Sequence, residues 1–341
     1  MHTNIEYLAN EPSALGKAVV IAEGVYWVRM PLPFQLDHIN LWLIEEEGGW
    51  ALVDTGINNV ETKKLWLNLL SSLAHRGHLT RLICTHAHPD HMGLAGWFCR
   101  EFELELWTTQ NEWHRGIQLS RNRNQEEKEF TNHFIRAGCS GDQVKTLSKQ
   151  LLLSDRFYEK VPNQHETIKD NDQLNIGERR WKVIVGEGHS IEHACLYCDE
   201  IGVLIGGDQI LPKITPTIIL PIHDPSADPL RAFLETNQKF HSLAKETKVL
   251  PSHNLPFRGL HTRLAQYQAH HDERLKKTHA ACAGGSTAVE VAETLFGEKS
   301  DPYHLFFSVG ETLSHIRYLE TSGDIVVNQD CDGVAVYQHA S

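Results

Sequence analysis

The sequence predicts a layered α/β fold, and three features of the chain support this prediction. Short β-rich runs open the chain, among them VYWVRM, INLWLI and WALVD. Strands then alternate with helical patterns in two blocks, which is typical of α/β architectures. A polar, helix-favouring segment at residues 110–153 separates the blocks, and a largely helical tail follows residue 258.

The first block continues with an amphipathic helix over residues 60–75, the buried strand RLICT, a helix over residues 91–100 and the strand LELWT. In the second block, WKVIVG, ACLYC, VLIGGD and KVLPSH are predicted strands, and residues 229–244 a helix. Each block therefore supplies one strand-rich layer with helices between its strands.

The tail predicts three helices and a pair of strands. A helix over residues 260–282 ends near a glycine pair, and Ser286 is the candidate N-cap of the next helix, with Glu290 outside capping-box spacing from it. This layout is that of a winged helix, a module that commonly binds nucleic acid. The tail, however, has six Lys/Arg against eleven Asp/Glu. A helix that reads a DNA groove should be basic, so a packing or dimerisation role is favoured.

Composition and charge indicate which partners and which cellular location the protein is expected to have. The formal charge is −12, which disfavours polyanionic partners, and no apolar run is long enough to span a bilayer. The first residues lack the pattern of a secretory signal, and seven cysteines at scattered spacings fit reduced thiols, so a cytoplasmic location is expected. Histidine is a common metal ligand, and the chain contains 22 of them.

One short run concentrates the candidate metal ligands. The sequence THAHPDH, residues 85–91, follows the buried strand RLICT directly. His86 and His88 are two residues apart, so both side chains of an extended segment project to one side. Asp90 and His91 fall at the start of the next helix. Imidazole and carboxylate groups suit first-row transition metals, so this loop predicts ligands for two adjacent ions.

The THAHPDH run resembles the H-x-H-x-D-H signature of the metallo-β-lactamase superfamily. Further segments resemble the other motifs of the family, in the same order: VDTG at residues 53–56, GHS at 188–190, GGD at 206–208 and PSH at 251–253. The tail resembles the winged-helix extension of the lactamase-β-like-2 group. The resemblance implies a four-layer αββα sandwich over residues 1–258, with the helical insert at 110–153 and a winged-helix-like domain over 259–341.

The resemblance also implies a ligand set, carried over position by position. One metal ion is expected at His86, His88 and His189, a second at Asp90, His91 and His253, and Asp208 is expected to bridge them. Asp54 is expected to orient the histidine loop rather than bind metal. His193 is expected either behind the ligands or facing substrate, and His38 either near the site or in the core. The family's usual P-G-H-G is here PSHN, and Asn254 tolerates the unusual backbone angles of such a turn.

A dinuclear hydrolase is the function that this resemblance implies. Two divalent ions, with Zn²⁺ favoured and Fe or Mn as alternatives, would hold a bridging hydroxide as the nucleophile. Asp90 or Asp208 would accept a proton, and the sequence does not choose between them. The favoured substrate is a small thioester or ester, as in glyoxalase II-like hydrolases.

Several other functions stay open. They are an endoribonuclease of the lactamase-β-like-2 type, a lactonase and, less favoured, an iron-dependent enzyme resembling persulfide dioxygenases. Flavodiiron electron transfer is disfavoured because His88 stands where those proteins tend to carry Glu and no flavodoxin-like domain is evident. A pure binding module would have little use for seven ligands.

The insert is predicted to form a lid. His189 follows His91 by 98 positions, which is more than two strands and a helix need, and long excursions in compact domains are often functional. Apolar anchors argue against disorder, namely Trp113, Ile117, Leu119, Phe130, Phe134 and Ile135. We expect the insert to pack over the mouth of the site and favour small substrates; the alternative is a helical pair on the outer face.

Overall fold

The computed structural model describes residues 5–121, 126–297, 301–330 and 333–340. Contacts divide the chain into two compact units. The first contains Met1–Arg121, Ser154–Pro216 and Gln238–Arg263, and the second contains Asn122–Leu153, Thr217–Asn237 and Leu264–Ser341. The predicted insert is therefore divided, because its first helix belongs to the first unit and the stretch from Asn122 to Leu153 belongs to the second.

Two seven-stranded sheets form the framework of the first unit in the described part of the chain. Its strands are β1 (Glu6–Tyr7), β2 (Ala18–Ala22), β3 (Val25–Pro31), β4 (His38–Glu46), β5 (Gly49–Val53), β6 (His78–Ile83), β7 (Leu106–Thr108), β8 (Glu166–Thr167), β9 (Gln173–Ile176), β10 (Arg179–Gly186), β11 (His193–Cys198), β12 (Val203–Gly207), β13 (Lys248–Pro251) and β14 (Phe257–Arg258). One sheet has the order β2-β3-β4-β5-β6-β7-β8, and the other β1-β14-β13-β12-β11-β10-β9.

Four helices of the first unit follow strands of the first sheet. They are α1 (Val60–Leu73), α2 (Pro89–Met92), α3 (Ala95–Glu101) and α4 (Gln110–Leu119), with 3₁₀ turns at Ala74–Arg76 and Asp155–Phe157. The helix predicted over residues 91–100 is broken between α2 and α3. The Leu94 N–H, which would continue the first helix, donates instead to Thr55 Oγ1 at 3.0 Å, and the Gly93 carbonyl accepts from Glu159 N at 2.7 Å.

Strand β4 shows why the sheets form layers. Its side chains alternate between two faces, as a pleated strand requires. Ile39, Leu41 and Leu43 pack in a core that includes Trp66 and Phe98 of the helices. On the opposite face, Trp42 and Ile44 pack in a second core with Trp181, Val183, Leu196 and Ile205 of the other sheet. The first sheet is therefore buried on both faces, which explains its nearly continuous hydrophobic runs.

Parallel strand pairs determine where the polar loops emerge. Strands β5 and β6 are parallel neighbours in the first sheet, and β12 and β13 are parallel neighbours in the second. The carboxyl ends of two such neighbours lie at the same edge of their sheet. Asp54 and the loop of residues 85–91 follow the first pair, while Asp208 and His253 follow the second.

The second unit contains α5 (Glu126–Arg136), α6 (Gly141–Ser154), α7 (Pro229–Thr236), most of α8 (Leu260–Ala281), α9 (Ala288–Phe296), α10 (Pro302–Thr321) and the antiparallel pair β15 (Ile325–Gln329) and β16 (Ala335–His339). The helix predicted over residues 229–244 ends at Thr236, and a 3₁₀ turn, Asn237–Ser242, continues it. The three helices and two strands predicted for the tail are present in that order.

The predicted N-cap of the second tail helix is wrong by one residue. Thr287 caps α9, and its side chain accepts from Glu290 N while Glu290 accepts from Thr287 N. This reciprocal pair is a capping box, which satisfies two N–H groups that the first turn leaves free. Ser286 lies outside the helix, where its backbone pairs with Tyr337 of β16. Among the described residues, no helix combines the length and apolar character that crossing a bilayer requires.

Candidate metal centre

The loop after β6 brings two imidazoles together. His86 Nε2 lies 2.9 Å from His88 Nδ1, and His86 is fully buried. His88 is the N-cap of α2, with Pro89 at the first helical position, where proline is well tolerated. Asp90 and His91 consequently lie in the first turn of α2, as the sequence predicts.

A third imidazole and a carboxylate join His86 and His88. His189 lies in the turn between β10 and β11, and its Nε2 is 3.3 Å from His86 Nε2. The same atom is 3.3 Å from Asp208 Oδ2, in the loop after β12. His86, His88, His189 and Asp208 each offer one ligand atom, and these four atoms lie within 4.8 Å of one another. We call these four residues the first group.

The second group consists of Asp90, His91 and His253, whose ligand atoms also lie within 4.8 Å of one another. Asp90 Oδ2 lies 3.6 Å from His91 Nε2 and 3.5 Å from His253 Nε2. Asp208 reaches this group too, with Oδ2 at 3.5 Å from His91 Nε2 and Oδ1 at 3.4 Å from His253 Nε2. Asp208 therefore lies between the groups and contacts both.

The ring nitrogens that face away from the centre have fixed partners. His91 Nδ1 lies 2.7 Å from Asp54 Oδ2, and Asp54 also accepts from Thr85 N. His253 Nδ1 donates to the His38 carbonyl oxygen at 2.9 Å. In each ring, a proton on Nδ1 leaves the Nε2 lone pair directed toward the groups, which is the tautomer that metal coordination through Nε2 requires.

Two further histidines support the ligands from behind. His193 is fully buried, and its Nε2 accepts from Asp208 N at 3.0 Å while its ring stacks on His86 with centroids 4.8 Å apart. Of its two predicted roles, the structure gives it the supporting one. His38 Nε2 accepts from Asn254 N at 3.0 Å. Asn254 has φ +67°, so the PSHN turn uses the left-handed conformation that asparagine tolerates.

The ionisable groups of the centre influence one another strongly. Burial and the neighbouring His189 lower the pKa of His88 to about 3. Burial also lowers the pKa of His86, which His91 and His88 depress further. Burial opposes protonation of His91, yet Asp54, Asp90 and Asp208 outweigh it and raise the pKa of that imidazole. Asp208 and Asp90 likewise raise the pKa of His253 to about 10 despite its burial. The centre therefore combines His86 and His88, which favour the neutral form, with His91 and His253, whose positive charge the ionised carboxylates stabilise.

The donor set fits divalent metal ions. Both groups present imidazole nitrogen and carboxylate oxygen, which are the ligands that Zn²⁺ and other first-row metals take in proteins. In the described part of the chain, buried His91 Nε2 and Asp208 Oδ1 have no hydrogen-bond partner. Buried polar atoms rarely lack a partner. His91 Nε2 faces Asp90 and Asp208, and Asp208 Oδ1 faces His253. Cations between these ligand atoms would supply the missing partners.

Sequence reasoning missed two buried polar residues beside the centre. Asn40 donates through Nδ2 to the carbonyl oxygens of Pro251 and Asn254, and so attaches β4 to the turn that carries His253. Its only signal is a polar residue within the apolar run INLWLI. Glu112 of α4 accepts from Ala87 N and Glu192 N, both at 2.8 Å. Nothing in the sequence marks Glu112 as buried.

Comparison with known families agrees with this geometry. Residues 35–253 match the model of the Metallo-beta-lactamase superfamily, and residues 275–340 match the family described as Metallo-beta-lactamase-like, C-terminal domain. The chain belongs to the metallo-β-lactamase superfamily, and the predicted fold class is confirmed.

Individual relatives extend the match over most of the chain. The "Probable metallo-hydrolase YqjP" of Bacillus subtilis (strain 168) is 24% identical over 309 residues, covering 87% of this chain and 92% of that protein. A beta-lactamase domain protein from Burkholderia ambifaria is 35% identical with a TM-score of 0.91, and 98% of each chain is covered. A metallo-beta-lactamase family protein from Thermus thermophilus is 26% identical with a TM-score of 0.78, covering 93% of this chain and 98% of that one. The chain is thus a metallo-hydrolase of this superfamily.

Proposed function

We propose that the protein is a dinuclear metal-dependent hydrolase that acts on a small thioester or ester. The observation that carries the proposal is the position of Asp208, whose two oxygens contact His91, His189 and His253 at 3.3–3.5 Å. A carboxylate shared by two ligand groups is the arrangement that a pair of neighbouring cations needs.

The two groups define which residues would hold each ion. His86, His88 and His189 would hold one divalent ion, Asp90, His91 and His253 the other, and Asp208 both; Zn²⁺ is the ion we favour, on the imidazole-rich donor set. When bound, such a pair lowers the pKa of a coordinated water and polarises the acyl oxygen.

The protein's own residues supply position and proton transfer. Asp54 and the His38 carbonyl hold His91 and His253 in fixed orientations, so these rings need not reorganise during turnover. Asp90 and Asp208 are the carboxylates nearest the reacting region, and either would accept the proton released as water attacks the acyl carbon. Collapse of the resulting tetrahedral species expels a thiolate or alkoxide, which that proton then neutralises.

Charge and exposed apolar side chains favour a small acyl substrate. Ile191 lies two residues after His189 and is 38% exposed, and Leu36 lies two residues before His38 and is 36% exposed. These side chains suit an acyl chain or an aromatic leaving group better than a phosphate backbone. The formal charge of −12 also disfavours RNA, whose binding depends on neutralising phosphates.

A substrate panel tests the proposal. Purified protein loaded with Zn²⁺ or Mn²⁺ is assayed on short-chain thioesters, aryl esters, lactones and single-stranded RNA, before and after removal of metal by a chelator. We expect thioester or ester hydrolysis that disappears on chelation and returns with metal. The variant H75A is the control, because His75 is an exposed histidine on a 3₁₀ turn and should leave activity unchanged. Metal-dependent RNA or lactone cleavage without thioester or ester turnover would overturn the substrate assignment.

A further inference from the structure

Glu112, in the first turn of α4, connects two loops of the metal centre. The residue is 1% exposed. Its Oε2 accepts from Ala87 N at 2.8 Å, and its Oε1 accepts from Glu192 N at 2.8 Å. One side chain thus satisfies a backbone N–H in each of two segments that lie 105 residues apart in the sequence (192 − 87).

Both segments carry imidazoles of the first group. Ala87 lies between His86 and His88, and Glu192 follows His189 by three residues. Both bonds of Glu112 therefore hold the loops of the first group. Asp54 performs the corresponding task for the second group through His91 Nδ1.

The local sequence gives Glu112 an alternative that it does not take. Residues Thr109 to Glu112 have the T-x-x-E pattern of a capping box, in which the glutamate bonds back to the N-cap backbone. The same pattern at Thr287–Glu290 does form that box. At α4, by contrast, Thr109 makes no side-chain cap, and its Oγ1 donates to the Glu192 carbonyl oxygen at 2.9 Å.

The helix that carries Glu112 is firmly anchored near the centre. Gly116 lies so close to Met92 of α2 that a Cβ on this glycine would be 2.4 Å from the Met92 sulfur. Trp113 Nε1 donates to the Pro162 carbonyl oxygen at 2.9 Å, and Leu119 is buried in the core behind the first sheet. A carboxylate in the first turn is also favoured by the helix dipole. Glu112 therefore projects from a fixed support.

We propose that Glu112 is a positioning residue for the first metal ion. It sets the separation between the His86–His88 segment and the His189 turn, so that their imidazoles converge before metal arrives. The inference rests on the proposed dinuclear centre. It also gives α4 a structural role inside the site, distinct from that of a movable lid.

Metal binding to two Glu112 variants tests this inference. Co²⁺ is titrated into metal-free wild type, E112Q and E112A, followed by visible absorption and by competition with a chelator. Loss of a residue that supports metal ligands typically lowers affinity 10–100-fold. We expect this loss for one ion only, larger in E112A than in E112Q, because glutamine keeps one acceptor oxygen. The second ion should keep its affinity within about twofold.

Two controls identify the effect and its location. D170N removes a carboxylate that accepts from Val185 N in the same unit, and it should leave both Co²⁺ affinities unchanged. D54N should weaken the other ion, so a D54N/E112Q double variant should weaken both. Amide hydrogen exchange at Ala87 or Glu192 should accelerate in E112Q, because glutamine presents an acceptor oxygen to only one of the two N–H groups.

The outcomes separate this inference from the proposed function. If wild type binds fewer than two Co²⁺ ions, the dinuclear centre itself is refuted. If wild type binds two ions, the dinuclear centre stands. The positioning role is then refuted if folded E112Q binds both ions with wild-type affinity, or if its affinity for both ions falls equally. Should E112A fail to fold, E112Q still decides, because the isosteric amide preserves the packing around α4.

Discussion

Asp54 Oδ2 lies 2.7 Å from His91 Nδ1, and its Oδ1 accepts from Thr85 N at 2.8 Å. Asp54 follows strand β5 and has φ +62°, a left-handed conformation that non-glycine residues adopt at a cost, although asparagine and aspartate tolerate it better than most. The backbone strain at this aspartate therefore coincides with its function of holding the histidine loop, a common combination at active sites.

Replacing Asp54 tests this coupling directly. D54N keeps the size and the tolerance for positive φ, but its amide can present an N–H group to His91 Nδ1, where the carboxylate accepts. We expect the affinity of one metal ion to fall 10–100-fold, measured by competition with a chelator. An unchanged affinity for both ions would show that the orientation of His91 does not depend on Asp54.

A pair of glycines tests how His193 supports Asp208. Gly207 has φ +53°, and a Cβ there would lie 2.4 Å from His193 Cε1. Gly202 has φ +59° with nothing within 4 Å of a Cβ. Both alanine variants incur the cost of positive φ, about 1 kcal/mol, but only G207A displaces the imidazole that accepts from Asp208 N.

We therefore expect G207A to lose about 2–4 kcal/mol of unfolding free energy in urea, against about 1 kcal/mol for G202A. G207A should also lose metal affinity, because the ring of His193 cannot stay against His86 and Asp208. Equal losses of stability in the two variants, with normal metal binding in both, would contradict the supporting role of His193.

The second unit contains a glutamate that should make its stability depend on pH. Burial raises the pKa of Glu311 on α10 from 4.5 to about 7, although Arg274 acts in the opposite direction. The folded unit thus favours the neutral carboxyl. Because the folded pKa exceeds the unfolded one, this group's stabilising contribution is fully present below about pH 4.5 and is lost as the pH rises through about 7.

The variant E311Q is neutral at every pH and should remove this loss. Relative to wild type, we expect its unfolding free energy to improve by about 1–3 kcal/mol between pH 5 and pH 8. Urea unfolding at both pH values measures the difference, and E293Q, which alters an exposed glutamate of α9, is the control. If E311Q and E293Q show the same pH dependence as wild type, Glu311 is ionised in the folded unit.

The loop of residues 85–91 was predictable because its four ligand residues lie close together in the sequence. The THAHPDH run places four ligand residues within six positions after a strand, so local geometry alone brings them together. His189, Asp208 and His253 are far apart in sequence, and only their resemblance to family motifs indicated them. Their convergence depends on the pairing of two sheets, which no local pattern encodes.

Other features could not be predicted from local sequence patterns, because tertiary contacts override those patterns. Thr109–Glu112 and Thr287–Glu290 have the same T-x-x-E pattern, yet only the second closes a capping box, since the first faces the His189 turn. The segment at residues 110–153 was predicted as one insert, but its first helix packs in the first unit. Whether residues 126–153 cover the site remains a prediction, which protection from exchange on binding of a product analogue would test.

The number of metal ions bound per chain tests the central claim most directly. Metal-free wild type and D208A are saturated with Zn²⁺, freed of excess ion and analysed by mass spectrometry of the metal against the protein concentration. We predict two ions per chain in wild type and fewer than two in D208A, because Asp208 contacts both ligand groups. One ion per chain in saturated wild type, or two ions bound by D208A with wild-type affinity, would contradict the dinuclear centre.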